Sequence, residues 1–156
     1  MKKKIIKWGL ILLVSGLVIG GGIVFYLFNM PHRDVQAAAV DYEITATQLV
    51  QEYLDNAQAA NNKYLQEEGE SKILAVSGTV ASIDEDMKQQ KVVLLKNTDA
   101  KAGVSCTFTA STNVHAEKLK AGDQVKIKGV IRSGADYDED LELYEDVIME
   151  KCDVIN

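Results

Sequence analysis

Cysteine, histidine, proline and aromatic residues are all scarce in this sequence, and each scarcity removes a class of function. The two histidines, His32 and His115, are far apart. No Ser/His/Asp order, nucleophile elbow, phosphate-cradling glycine loop or His/Cys metal spacing is present, so neither an enzyme nor a resident cofactor is expected. The single proline, Pro31, rules out a proline-rich linker. Aromatic side chains make up 6% of the chain, few for a protein that stacks successive bases. Positive charge is short as well. Residues 35–156 hold 12 Lys/Arg against 22 Asp/Glu, a net of −10, more acidic than the −6 of the whole chain. A surface of that sign repels phosphate backbones and anionic headgroups.

What the chain does have is one long apolar run. Trp8 to Phe28 holds 21 residues without a charge, which spans ~31 Å as a helix, about one bilayer core. Four lysines precede it in MKKKIIK, and lysines on that side hold the N-terminus in the cytoplasm. Residues 1–28 therefore read as a cytoplasmic tip and a single transmembrane anchor (about 8–28), with everything after Phe28 extracytoplasmic. A cleaved signal peptide is the alternative, with Val35-Gln36-Ala37 or Ala37-Ala38-Ala39 as the cleavage site. The run is longer than the ~7–15 residues of a signal core, so a retained anchor is favoured. No cysteine follows closely, which excludes a lipid-attached N-terminal Cys. Gly16 and Gly20 form a GxxxG pair that would let two helices approach, but glycine is common in membrane helices and the oligomeric state is left open.

Residues 29–43 read as a tether, and 44–156 as one domain. Thr45-Ala46-Thr47-Gln48 is a capping box, with Ile44 and Leu49 at the hydrophobic-staple positions. Leu49, Val50, Tyr53, Leu54, Ala57, Ala60 and Tyr64 recur at helical spacing, predicting one helix of about 20 residues that ends near Gly69. The period then changes to two. Leu74–Ala81, Lys91–Lys96, Val104–Ala110, Val125–Arg132 and Leu141–Ile155 read as five strands, with a short helical link over Thr112–Ala121. Val125, Ile127, Gly129 and Ile131 should face inward, and Lys126, Lys128 and Arg132 outward. The alternation falters near Glu150, which leaves the direction of Cys152 open. Strands so spaced, with glycine bends, predict a mainly β fold: a five-stranded OB-fold barrel preceded by an α-helix, behind an N-terminal transmembrane helix.

At these residues the chain resembles the tRNA-anti-like OB-fold family of bacterial envelope proteins and lipoproteins. The pattern runs from Tyr42 to Ile155. It comprises Tyr53, Asn56, Ala60 and Tyr64 on the helix; Val76, Gly78 and Val80; and Val104, Cys106 and Phe108. Leu119, Gly122-Asp123, Val125, Ile127, Lys128 and Gly129 follow, then Asp146-Val147, Cys152 and Ile155. The resemblance implies an OB barrel with a helix added in front, and brings no defined activity with it.

Cys106 and Cys152 are candidates for a disulfide, because an even count in an oxidising compartment favours a bridge. Two buried free thiols are the alternative. Asp136, Asp138, Asp140 and Glu142 fall at positions 1, 3, 5 and 7 of a calcium-loop pattern, but Leu141 and Val147 stand where an EF-hand needs Gly and Glu. A solvated acidic loop is favoured over weak calcium association, and no metal site is expected. The function expected is a membrane-anchored extracytoplasmic binding or scaffolding module, whose partner is an envelope protein, peptide or glycan. The alternative, an OB-fold nucleic-acid-binding protein, is disfavoured by Asp84-Glu85-Asp86 and Asp136–Asp140 in the two loops such barrels use.

Overall fold

The computed structural model describes residues 15, 16, 18–26, 34–65 and 71–155. Its contacts divide the chain into two units, Met1–Arg33 and Asp34–Asn156. Residues 18–26 are helical and exposed. About half of the expected membrane span (residues 8–14, 17, 27 and 28), with its lysine-rich tip, lies outside the described residues, as does the helix end expected at Glu67–Gly69. Among the described residues, no helix is long and apolar enough to cross a membrane.

The second unit is a closed β-barrel with helices. Its elements are β1 (Tyr42–Thr45), α1 (Ala46–Asp55), α2 (Ala57–Tyr64), β2 (Ile73–Glu85), β3 (Lys91–Leu95) and β4 (Val104–Phe108). There follow α3 (Asn113–Ala116), β5 (Gln124–Ser133), β6 (Asp136–Asp138), β7 (Leu143–Glu145) and β8 (Val147–Ile155). Strands run in the order β2-β3-β4-β8-β5, and β5 pairs back onto β2 to close the barrel. The long β2 makes closure possible. Its first half, from Ile73 to Thr79, pairs antiparallel with β5, and its second half, from Val80 to Glu85, pairs with β3. Gly78 stands near that division. A Cβ there would lie 3.2 Å from the Cβ atoms of both Ala46 and Leu95, so bare backbone lets α1 and β3 come together over it.

The helical start follows the sequence closely. Thr45 accepts from the Gln48 amide, and the Gln48 side chain accepts from the Thr45 amide. Leu49, Val50 and Tyr53 then enter the same core as Val76, Val93, Val104, Phe108, Ile127 and Met149, each large apolar side chain contributing ~1.5–3 kcal/mol of burial. The single 20-residue helix is a correction. Asn56 leaves helical geometry at φ −160°, and its side chain accepts from the Ala59 amide, capping α2 as α1 ends. An Asn able to supply its own cap makes the break cheap.

Three further differences have a common cause in segments that sequence periodicity did not anticipate. First, β1 adds in parallel to β2, pairing Tyr42–Thr45 with Leu74–Ser77. Second, residues 34–41 pack on the barrel, where a free tether was expected. Val35 is buried, the Asp41 amide donates to the Ile73 carbonyl, and Gln36 Nε2 donates to the Lys151 carbonyl. Third, Lys128, expected outside, is 7% exposed, and its ammonium donates to the carbonyls of Gln36 and Ala38.

The last strand begins later than expected. Leu143–Glu145 pairs with Asp136–Asp138 as a separate hairpin, so β8 starts at Val147. The faltering alternation near Glu150 is a bulge. Lys151 takes φ 54°, the register shifts, and both Met149 and Cys152 point inward and are buried.

Candidate binding cleft beside the acidic hairpin

A cleft of about 460 Å³ opens between the α1–α2 junction and the β6–β7 hairpin. On the helical side it is lined by Gln51, Tyr53, Leu54, Asp55, Asn56 and Ala57; Lys101 and the hairpin residues Asp136, Tyr137 and Tyr144 complete it. The break at Asn56 places the end of α1 there. The hairpin is closed locally, because Asp138 Oδ1 accepts from the amides of Asp140 and Leu141 while Glu142 adopts φ 53° to reverse the chain. Across it Tyr137 stands directly opposite Tyr144. Their rings lie 4.8 Å apart, tilted at 49°, within the range of aromatic contact.

Tyr53 forms part of the lining and is itself 2% exposed. Its ring fills the space Gly134 leaves: a Cβ on Gly134 would fall 2.0 Å from the ring. The Tyr53 hydroxyl is buried without a hydrogen-bond partner among the described residues. Burial pushes its pKa up to about 12, with Tyr64 and Glu52 adding to the shift. It is thus a neutral group at physiological pH, with a donor and an acceptor function both unused. Lys101 Nζ donates to the Tyr144 hydroxyl at 3.3 Å and stands 5.1 Å from the centre of that ring, within cation–π range. Gln51 Nε2 donates to Asp55 Oδ1 at 2.6 Å, which orients one wall of the cleft.

A second, shallower groove shares Gln51 and Asp55 and reaches Tyr42, Glu52, Lys63 and Tyr64. Here Lys63 pairs with Glu52 at 2.9 Å, the Tyr64 hydroxyl donates to Glu52 at 2.8 Å, and Tyr42 meets Tyr64 edge-on. These contacts satisfy one another and tie α1 to α2. Burial acts to raise the Glu52 pKa, but the bonds from Lys63 and Tyr64 outweigh it and the net shift is downward.

The outward basic row read from β5 is dispersed. Lys126 is paired with Glu43 at 3.0 Å, Lys128 is buried, and Arg132 lies 3.4 Å from Glu150. Phe108 points inward and is fully buried. Cys106 and Cys152 are both buried free thiols, and Cys106 Sγ donates to the Val104 carbonyl at 3.8 Å. Burial pushes the Cys152 thiol well up, so it stays protonated at neutral pH. Asp136, Asp138, Asp140 and Glu142 are distributed along the hairpin and its turn, and no cluster of metal-ligating side chains occurs among the described residues.

The aromatic pair was not foreseen. Ser133–Asp140 read as an acidic connection and Tyr144 as part of the last strand, although Asp-Tyr-Asp and Leu-Tyr-Glu around a polar turn carried a hairpin signal. The tRNA_anti-like family model matches residues 1–139. The chain belongs to the tRNA_anti-like family. Its barrel order is the OB order that the family resemblance implied. Among solved structures, the tRNA_anti-like chain is similar to a protein from Klebsiella pneumoniae subsp. pneumoniae MGH 78578, provisionally described as a nucleic acid-binding lipoprotein. The two share 16% identity with a TM-score of 0.54, over 81% of this chain and 100% of that one. At this identity the likeness is one of fold. No curated protein matches the sequence.

Proposed function

We propose that this tRNA_anti-like chain is a non-catalytic binding module, anchored by its N-terminal apolar helix with the barrel on the extracytoplasmic side. It engages a component of the cell envelope through the cleft beside the hairpin. The observation that carries this reading is the hairpin itself. Tyr137, at 43% exposure, stands with exposed Leu141 and Leu143 among seven acidic side chains between Asp136 and Asp146. Exposed apolar and aromatic groups held on a closed hairpin are the usual make-up of a recognition surface. The acidic surroundings select against anionic partners.

The second reading, nucleic-acid binding, is favoured by the description of the Klebsiella protein and by the OB fold. Against it stand the pairing or burial of the β5 cations and the inward Phe108. Fluorescence anisotropy on residues 34–156, which possess their own core, discriminates the two. A labelled oligonucleotide should show no binding at physiological salt. Tight binding that weakens steeply with salt would establish the nucleic-acid reading in its place.

A further inference from the structure

We propose that the cleft between the α1–α2 junction and the β6–β7 hairpin takes an uncharged, hydroxyl-rich ligand, a neutral oligosaccharide. This inference rests on the binding-module reading and adds the ligand class to it. At about 460 Å³ the cleft is within the range of small-molecule sites. Four features of its lining narrow the chemistry.

Tyr137 is 43% exposed and braced from behind by Tyr144, which gives a rigid aromatic surface for the apolar CH face of a sugar ring. Asp55 and Asp136 supply carboxylate acceptors, which suit a ligand that donates many hydroxyl hydrogens. The same carboxylates, with the acids along the hairpin, repel a phosphate or carboxylate ligand. The fourth feature bears on the two ligand classes that remain, a neutral saccharide and a basic peptide that the same acids would attract. A basic peptide would place its cation on the tyrosines, but Lys101 already occupies Tyr144, bonded to its hydroxyl and 5.1 Å from its ring centre. A second cation would meet that fixed charge. A neutral ligand meets no such opposition.

Calorimetric titration of the full chain in detergent micelles tests this, with chitotetraose, maltotetraose and cellotetraose as neutral probes and tetralysine and a ten-nucleotide oligothymidine as charged ones. At least one neutral oligosaccharide should bind with a dissociation constant below about 1 mM, little changed by added salt. Tyr137→Ala should weaken that binding about tenfold or more. Asp136→Asn should weaken it, and Arg132→Ala, away from the cleft, should not. Tyr137 is exposed, and a thermal melt of its variant verifies folding. No heat from any of the three saccharides would overturn the ligand class. Tetralysine binding that depends on Tyr137 would overturn it too while preserving the binding module. Oligothymidine binding insensitive to Tyr137→Ala would overturn both.

Discussion

Replacing Lys128 by methionine removes one ammonium and little volume, and tests whether residues 34–41 belong to the barrel. The ammonium donates to two backbone carbonyls, those of Gln36 and Ala38, from a side chain only 7% exposed. Hydrogen bonds from a charged donor contribute ~1.5–3 kcal/mol each. Against this, keeping an ammonium out of water costs several kcal/mol, which methionine avoids. Both carbonyls belong to half-buried residues and can turn to water once released, so the net loss expected is about 2 kcal/mol. For a domain of this size that lowers Tm by roughly 5–10 °C. The local effect should be larger than the global one. Amide exchange at Ala38 and Asp41, which donate to the carbonyls of Asp34 and Ile73, should speed up before the barrel amides respond. Lys128→Arg should retain part of the protection. If Lys128→Met left both the melt and the exchange of residues 34–41 unchanged, the clasp would be ornamental and the segment a tether after all.

Gly134→Ala should destabilise by about 3 kcal/mol or prevent folding, because the added Cβ would lie 2.0 Å from the Tyr53 ring; an unaltered melting curve would contradict that packing. In chain recovered from an oxidising compartment, Cys106 and Cys152 should be bridged, closing a loop of about 45 residues for ~4 kcal/mol on the chain-entropy model. Intact mass after alkylation in denaturant, with and without reductant, reads this, and two thiols alkylated without reductant would refute it. The Glu52 carboxyl should titrate below its ordinary 4.5, since its bonds from Lys63 and Tyr64 outweigh the opposing effect of burial. Its contribution to stability is therefore present above 4.5 and lost as pH falls through the lowered midpoint; carboxyl carbon shifts followed by NMR give the value. A reporter fused after Asn156 should be active outside the cytoplasm, and activity confined to the cytosol would remove the anchored, extracytoplasmic reading.

Local chemistry was legible in the sequence wherever one face of an element meets the core and the other meets water. The capping box at Thr45 and the inward Ile127 and Ile131 follow from spacing alone. Legibility failed where a second layer covers the sheet. Lys128 alternates correctly as an outward residue, and that side is then covered by residues 34–40. Alternation reports which side of the strand a residue occupies, not what lies over that side. It failed again where the backbone breaks its own period. Asn56 is an acceptable helix residue by spacing, yet its side chain caps α2 more favourably than it continues α1. Lys151 in left-handed geometry shifts β8 by one residue and turns Cys152 inward, which no count of alternating positions could supply.

The same covering explains why the candidate site lies at the hairpin end. β1 occupies the edge of β2 that β3 leaves free, and residues 34–41 lie against Ile73, Lys128 and Lys151, contributed by β2, β5 and β8. That part of the barrel surface is spent on holding the chain's own N-terminal segment. The residues spared are those of the β6–β7 hairpin, whose strands pair only with each other. A two-stranded ribbon gains little stability by itself, so its backbone order must come from its turn bonds and from Tyr137 and Tyr144. Tyr144 is held by Lys101, while Tyr137 leaves nearly half its surface to solvent. Stability alone would be served by an inward Tyr137 or a shorter connection between β5 and β8. An aromatic kept outward on a braced ribbon beside a cleft is what the proposed binding role requires, and a purely structural hairpin would not need it.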